Sequence, residues 1–138
     1  MWLFDTTFII DLINEDPHAV EMAEEIEEPT LKAISVITVQ EYLRGIFYLF
    51  HDDKNLLYRK LSAAEKELLH FEIFSIDYII AKLAAEIDAE LMKKGKQVDM
   101  ADILIAATAI RYNLTLVTRN IKDFEKIASI KPLKIEKY

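Results

Sequence analysis

The sequence contains no cysteine, and it has only 2 glycines and 3 prolines in 138 residues. The absence of cysteine excludes disulfides, thiolate metal sites and a cysteine nucleophile, and the scarcity of glycine and proline excludes fibrous and low-complexity classes. No apolar run is long enough to span a bilayer. The first residues carry an early acid, Asp5, and no basic segment, so they do not predict a signal peptide. We therefore expect a cytoplasmic protein without a membrane partner.

Acidic residues outnumber basic ones 24 to 17, which gives a net charge of −7. A protein that binds phosphate through its own cations has the opposite balance. The sequence thus indicates either a partner other than nucleic acid or acidic groups that approach phosphate through metal ions. The length, with 52% hydrophobic residues, predicts one folded domain over residues 1–138.

Short apolar segments alternate with segments of helical periodicity along the chain. The predicted strands cover residues 2–5, 31–37, 73–76, 114–117 and 133–135. The predicted helices cover residues 7–13, 17–28, 39–50, 57–68, 80–91, 100–112 and 121–128. This alternation predicts an α/β fold, a three-layer sandwich with a central parallel sheet of about five strands.

Acidic and amide side chains lie near the predicted strand ends, where parallel sheets bind their ligands. These residues are Asp5, Glu41, Asp99, Asp102, Asn120 and Asp123. Carboxylates that meet at one edge repel each other unless cations lie between them. Oxygen ligands suit Mg²⁺ or Mn²⁺, and two such ions can activate a water and stabilise the leaving oxygen of a phosphodiester.

Each of these acids also has a simpler interpretation as a helix cap. Three pairs have the spacing of a capping box: Thr38 with Glu41, Asp99 with Asp102, and Asn120 with Asp123. Asp5 could cap the helix that follows it, and for any single site a cap is the commoner outcome. Asp102 fits this interpretation least, because it precedes the apolar residues 103–107, where an unpaired carboxylate is costly.

Three segments make the chain resemble PIN-domain proteins of the VapC toxin type: LFDTTFIIDLI, SVITVQEYLRG and DMADILIAATAIRYNLTLVTRNIKDF. The resemblance covers nearly the whole chain. It implies that Asp5, Glu41 and Asp102 are catalytic acids and metal ligands. Asn120 falls at the family's fourth acidic position, and Asp123 is the nearby carboxylate that could fill it.

The same resemblance implies supporting residues around these acids. Asp99 and Asp123 are accessory acids of the metal site. Thr6 and Thr118 are expected to bind metal-bound water or the scissile phosphate. Arg44 lies one turn after Glu41 and is expected to pair with an acid or contact the RNA backbone.

The activity implied by the resemblance is that of a Mg²⁺- or Mn²⁺-dependent endoribonuclease. It would be the toxin of a type II toxin–antitoxin pair, with RNA as substrate, a small antitoxin protein as partner and a homodimer as assembly. Two alternatives stay open: a PIN-fold RNA-processing nuclease that is not a toxin, and a catalytically inactive interaction module. A phosphoreceiver-like domain fits less well, because Asp5 is followed by two threonines rather than by further acids.

The predicted helix at 39–50 carries large apolar side chains on more than one face. Core burial is the first expectation for Phe47 and Phe50, and a partner-binding patch is the second. Together with the leucines of residues 56–68, this helix is predicted to form an apolar groove that accepts an antitoxin helix.

Overall fold

A sheet of five strands surrounded by seven helices makes up residues 1–26 and 29–138, which the computed structural model describes. The strands are β1 (Trp2–Phe4), β2 (Lys32–Ser35), β3 (Glu72–Phe74), β4 (Thr115–Thr118) and β5 (Ile135–Lys137). The helices are α1 (Thr6–Ile13), α2 (Pro17–Glu25), α3 (Val36–Leu49), α4 (Lys54–Leu68), α5 (Tyr78–Lys93), α6 (Met100–Arg111) and α7 (Ile121–Ala128). Among these helices, none combines the length and the apolar character needed to cross a bilayer.

The sheet is parallel throughout, with the strand order β3-β2-β1-β4-β5. The chain adds β2 and β3 on one side of β1 and then crosses to add β4 and β5 on the other. The order therefore reverses at β1, and the crevice between the ends of β1 and β4 is the expected ligand position. Phe4 is paired with Val117, so Asp5 and Thr118 leave the sheet side by side. The predicted α/β fold is confirmed.

Two apolar layers cover the sheet, because successive residues of a strand point to opposite faces. Leu3 packs in the layer formed mainly by α5, α6 and α7. Phe4 packs in the other layer, with residues of α1, α2 and α4. Helices thus lie on both faces, as the sequence predicts.

Several element boundaries differ from the prediction, among them those of β2, β5 and α2. The strand predicted to reach Ile37 ends at Ser35, because the Ser35 hydroxyl accepts a hydrogen bond from the Ile37 N–H at 3.0 Å and begins α3. The last strand covers Ile135–Lys137 rather than 133–135, where its backbone pairs with β4. Helix α2 ends at Glu25, and residues 27 and 28 of the predicted helix lie outside the described residues.

Candidate active site

Asp5 is a buried carboxyl group directly after β1, with 4% of its surface exposed. Its Oδ1 accepts a hydrogen bond from the Phe8 backbone N–H at 2.9 Å, which makes Asp5 the N-cap of α1. Its Oδ2 accepts a short hydrogen bond from the Thr118 hydroxyl. The Thr118 oxygen in turn accepts the Asn120 backbone N–H at 2.9 Å. The capping interpretation of Asp5 is therefore confirmed, and it is compatible with a role in a site.

A hydroxyl cluster joins α1 to α3 beside Asp5. Thr6 Oγ1 donates to Glu41 Oε1 at 2.6 Å and lies 3.1 Å from Thr38 Oγ1. Because Ser35 is the N-cap of α3, the predicted capping box of Thr38 with Glu41 is wrong. The Glu41 carboxylate instead turns toward the residue that follows Asp5.

Asp102 approaches the same edge from the first turn of α6. Burial, and after it the negative charges of Glu41 and Asp5, raise the pKa of Asp102 to about 6. Asp99, which directly precedes α6, occupies the N-cap position, but its side chain makes no capping hydrogen bond. The predicted capping box of Asp99 with Asp102 is therefore not formed. Three acids, Asp5 after β1, Glu41 within α3 and Asp102 in the first turn of α6, thus lie within electrostatic reach of each other.

The pKa of Asp5 is also raised to about 6, chiefly because burial disfavours its charged form. The hydrogen bonds from Thr118 and Phe8 act in the opposite direction, and the charges of Asp11 and Glu41 add to the rise. Carboxyl groups with pKa values raised in this way cluster at functional sites. A divalent cation would offset both the cost of burying these charged groups and the repulsion between them.

Asn120 and Asp123 have a different environment at the start of α7. Asn120 Nδ2 donates to Asp123 Oδ2 at 3.2 Å, and Lys126 Nζ lies 3.3 Å from Asp123 Oδ1. The amide and the ammonium group lower the pKa of Asp123. Asn120 makes no side-chain cap, so the third predicted box is also absent. Lys126 was not predicted as part of the site, although its spacing of three residues from Asp123 is visible in the sequence.

The sequence of this chain matches a known protein family. The family described as the PIN domain matches residues 2–130 of the chain. The chain belongs to the PIN-domain family. Among its relatives, "Ribonuclease VapC1" of Methanocaldococcus jannaschii is 37% identical over 125 residues, which cover 91% of this chain and 79% of the relative.

Solved structures of related proteins have the same PIN-domain fold. VapBC2 from Rickettsia felis, crystallised with a DNA fragment from its promoter, contains a chain that is 28% identical, with a TM-score of 0.79 over 99% of this chain and 98% of that one. A structure described as a toxin-antitoxin complex from Klebsiella pneumoniae contains a chain that is 30% identical, with a TM-score of 0.72 over 96% of this chain and 95% of that one.

The donor set of this PIN domain fits a hard divalent cation, since Asp5, Glu41 and Asp102 offer only carboxylate oxygens. Within residues 1–26 and 29–138, however, no three histidine or acidic side chains already form an arrangement that would hold a metal ion. The Glu41 carboxylate is engaged with Thr6, so ligation would require it to turn. Arg44 is exposed on α3, and the predicted pairing of Arg44 with an acid is not formed among the described residues.

Proposed function

We propose that this PIN domain is an endoribonuclease that depends on Mg²⁺ or Mn²⁺ and acts as the toxin of a type II toxin–antitoxin pair. One observation carries the proposal: Asp5, Glu41 and Asp102 come from three elements to the strand edge where the sheet order reverses, and Asp5 and Asp102 both have a raised pKa of about 6. The similarity to a ribonuclease over 91% of the chain supports the reaction class.

In this proposal Asp5 and Asp102 hold the ion, and Glu41 is the third ligand. When bound there, the ion would supply Lewis-acid activation of the phosphodiester and of the attacking water. The Phe8 N–H and the Thr118 hydroxyl hold the Asp5 carboxylate in one orientation. The Thr118 hydroxyl already donates a hydrogen bond to Asp5. We therefore propose that Thr118 orients Asp5 rather than binding the phosphate.

The remaining polar groups surround this centre. Thr6 is half-buried beside Glu41, and its hydroxyl could turn to a phosphate oxygen if Glu41 bound the ion. Asn120 takes the fourth position through its contact with Asp123. We assign Asp99 and Asp123 as accessory acids, since Lys126 already balances the charge of Asp123. Exposed Arg44 is the proposed contact to the RNA backbone.

The nuclease proposal is tested by incubating the purified chain with fluorogenic single-stranded RNA oligonucleotides, with Mn²⁺ or with a chelator. We expect cleavage with Mn²⁺, none with the chelator and none by Asp102→Asn. The matched control is Asp52→Asn, at a fully exposed acid outside the site, which should cleave as the wild type does. Equal cleavage by the wild type and Asp102→Asn would remove the assignment, and a wild type that binds Mn²⁺ but cleaves no RNA would favour the inactive module.

An apolar groove of about 440 Å³ between α1, α3 and α4 supports the antitoxin part of the proposal. Ile46, Leu49 and Phe50 line it. Glu41, one of the proposed metal ligands, also lines it. Phe47 is 50% exposed, so the expectation of core burial is wrong for this residue. We propose that an antitoxin helix places its apolar face in this groove, and that the net charge of −7 favours a basic segment in that partner.

We expect the proposed antitoxin to be encoded by a short reading frame beside the gene for this chain. Its binding to the chain can be measured by calorimetry. Phe50→Asp should weaken binding by more than about tenfold, in the range of a buried interface anchor, while cleavage changes little. Phe47→Asp is the matched variant outside the groove lining and should weaken binding less. If neither variant weakens binding, the groove is not the docking site. We also propose that the free chain forms a homodimer, which sedimentation of the free chain tests: a monomer would contradict it.

A further inference from the structure

Arg119 follows Thr118 directly and lies among side chains from α1, the start of α2 and the end of β5. Its guanidinium is 2.8 Å from Asp16 Oδ2 and 3.5 Å from Asp11 Oδ2, and its Cζ is 4.6 Å from the centre of the Tyr138 ring. We call these four residues, Asp11, Asp16, Arg119 and Tyr138, the Arg119 latch. The same Asp16 oxygen accepts the first N–H groups of α2.

Tyr138 closes the latch from the other side. Its hydroxyl donates to Asp11 Oδ2 at 2.6 Å, and its ring packs edge-on against Phe8, with 4.9 Å between the ring centres and an angle of 86°. The sheet register sets this position, because Thr118 pairs with Lys137 and the next residues of the two strands are Arg119 and Tyr138. Tyr138 thus contacts α1 and the end of β4 at once.

The elements that the latch joins are the ones that fix Asp5. Phe8, against which Tyr138 packs, donates its N–H to Asp5 Oδ1. Thr118, which precedes Arg119, donates its hydroxyl to Asp5 Oδ2. An isolated exposed ion pair contributes little, but here the pair shares its carboxylates with a tyrosine hydroxyl and a helix cap. The set therefore constrains α1 and β4 together.

We infer that the Arg119 latch is a positioning device: it holds α1 and the end of β4 at the separation at which the Phe8 N–H and the Thr118 hydroxyl both reach Asp5. Arg119 and Tyr138 are then positioning residues, which act on the reaction through the orientation of Asp5. Their effect on RNA cleavage rests on the proposed function, whereas their effect on Asp5 does not.

The test measures hydrogen exchange of the Phe8 amide by NMR in the metal-free protein, for Tyr138→Phe and Arg119→Gln. The latch predicts that each variant exchanges about fivefold faster at Phe8, the scale of one net hydrogen bond. The control amide is that of Ile80, which donates to Asp77 at 2.9 Å in the same capping geometry and should not change. The control variant is Tyr58→Phe, at an exposed tyrosine of α4.

A second readout separates positioning from general stability. With Mn²⁺ and an RNA oligonucleotide, Tyr138→Phe should lower kcat about tenfold, the range for partners that orient metal ligands, and leave KM unchanged. Unchanged Phe8 exchange in both variants would overturn the latch, as would equal acceleration at Phe8 and Ile80, which indicates global loosening. A wild type that cleaves no RNA would overturn the proposed function instead, because the exchange measurement needs neither RNA nor metal.

Discussion

Asp5 and Asp102 on one side of the site, and Asp123 on the other, are the same residue type, but their pKa values shift in opposite directions. On one side, burial and neighbouring acids raise the pKa of Asp5 and Asp102 to about 6. On the other side, Asn120 and Lys126 lower the pKa of Asp123. The first pair lacks a positive partner among the described residues, whereas Asp123 has the Lys126 ammonium 3.3 Å away.

A bound cation would therefore stabilise the Asp5 and Asp102 side, whereas the Asp123 side already has the positive charge of Lys126. A divalent ion between Asp5 and Asp102 would offset repulsion that the protein leaves uncompensated. An ion at Asp123 would have to compete with Lys126. We therefore propose that the main metal position lies on the side of β1 and α6, and we expect the carboxylates to differ in their sensitivity to substitution.

The largest effect is expected from removing either acid on the uncompensated side. Asp5→Asn and Asp102→Asn should each lower Mn²⁺-dependent RNA cleavage by more than about a hundredfold, beyond the range for outer partners of a metal site. Cleavage rates under single-turnover conditions measure this loss. Retention of more than a tenth of the activity in either variant would contradict the proposal that Asp5 and Asp102 hold the metal ion.

The stability of the metal-free protein should change in the opposite direction to activity. The pKa of Asp5 rises from 3.8 to about 6 on folding, so the folded state binds the extra proton and the wild type loses stability as the pH rises from about 4 through 6. Asp5→Asn should therefore raise the free energy of unfolding at pH 7.5, by up to roughly 3 kcal/mol. Urea unfolding in a chelator at pH 4 and pH 7.5 measures this gain.

The gain from Asp5→Asn should largely disappear at pH 4, where the folded carboxyl is protonated and the unfolded one, with a pKa of 3.8, is only partly ionised. The control has the opposite sign: hydrogen bonds from Ala19 and Arg119 lower the pKa of Asp16, so Asp16→Asn should destabilise the protein at neutral pH. A loss of stability in Asp5→Asn at pH 7.5 would show that its hydrogen bonds outweigh the cost of its burial.

A smaller effect is expected on the compensated side. Asp123→Asn should lower cleavage by about tenfold or less, because Lys126 already balances this charge and the asparagine keeps the contact with Asn120. Comparing its rate with that of Asp102→Asn at saturating Mn²⁺ sharpens the assignment. Equal losses in the two variants would place the metal between the two sides.

The sequence predicts the fold and the position of the acids because these depend on local patterns. The apolar run before Asp5 predicts β1, and the apolar residues after Asp102 predict a buried helix whose acid needs a partner. The end of β2 was missed because Val36 and Ile37 have strand propensity, and the Ser35 cap overrides it. A single cap residue thus decides where α3 begins.

The long-range contacts around Asp5 could not be predicted, because they join residues far apart in the sequence. The Thr118 hydroxyl reaches Asp5 across 113 positions, and Tyr138 reaches Asp11 across 127. Nothing in the local pattern around Arg119 indicates that it stacks on Tyr138. The capping boxes show the converse limit: their spacing is correct, yet the side chains of Asp99 and Asn120 make no caps.

The most direct test of the account is Mn²⁺ binding measured by calorimetry at pH 7.5, without RNA, for the wild type, Asp102→Asn and Asp123→Asn. The account predicts that the wild type binds Mn²⁺, that Asp102→Asn weakens binding by more than about a hundredfold, and that Asp123→Asn weakens it by about tenfold or less. A wild type that does not bind Mn²⁺, or a larger loss in Asp123→Asn than in Asp102→Asn, would contradict it.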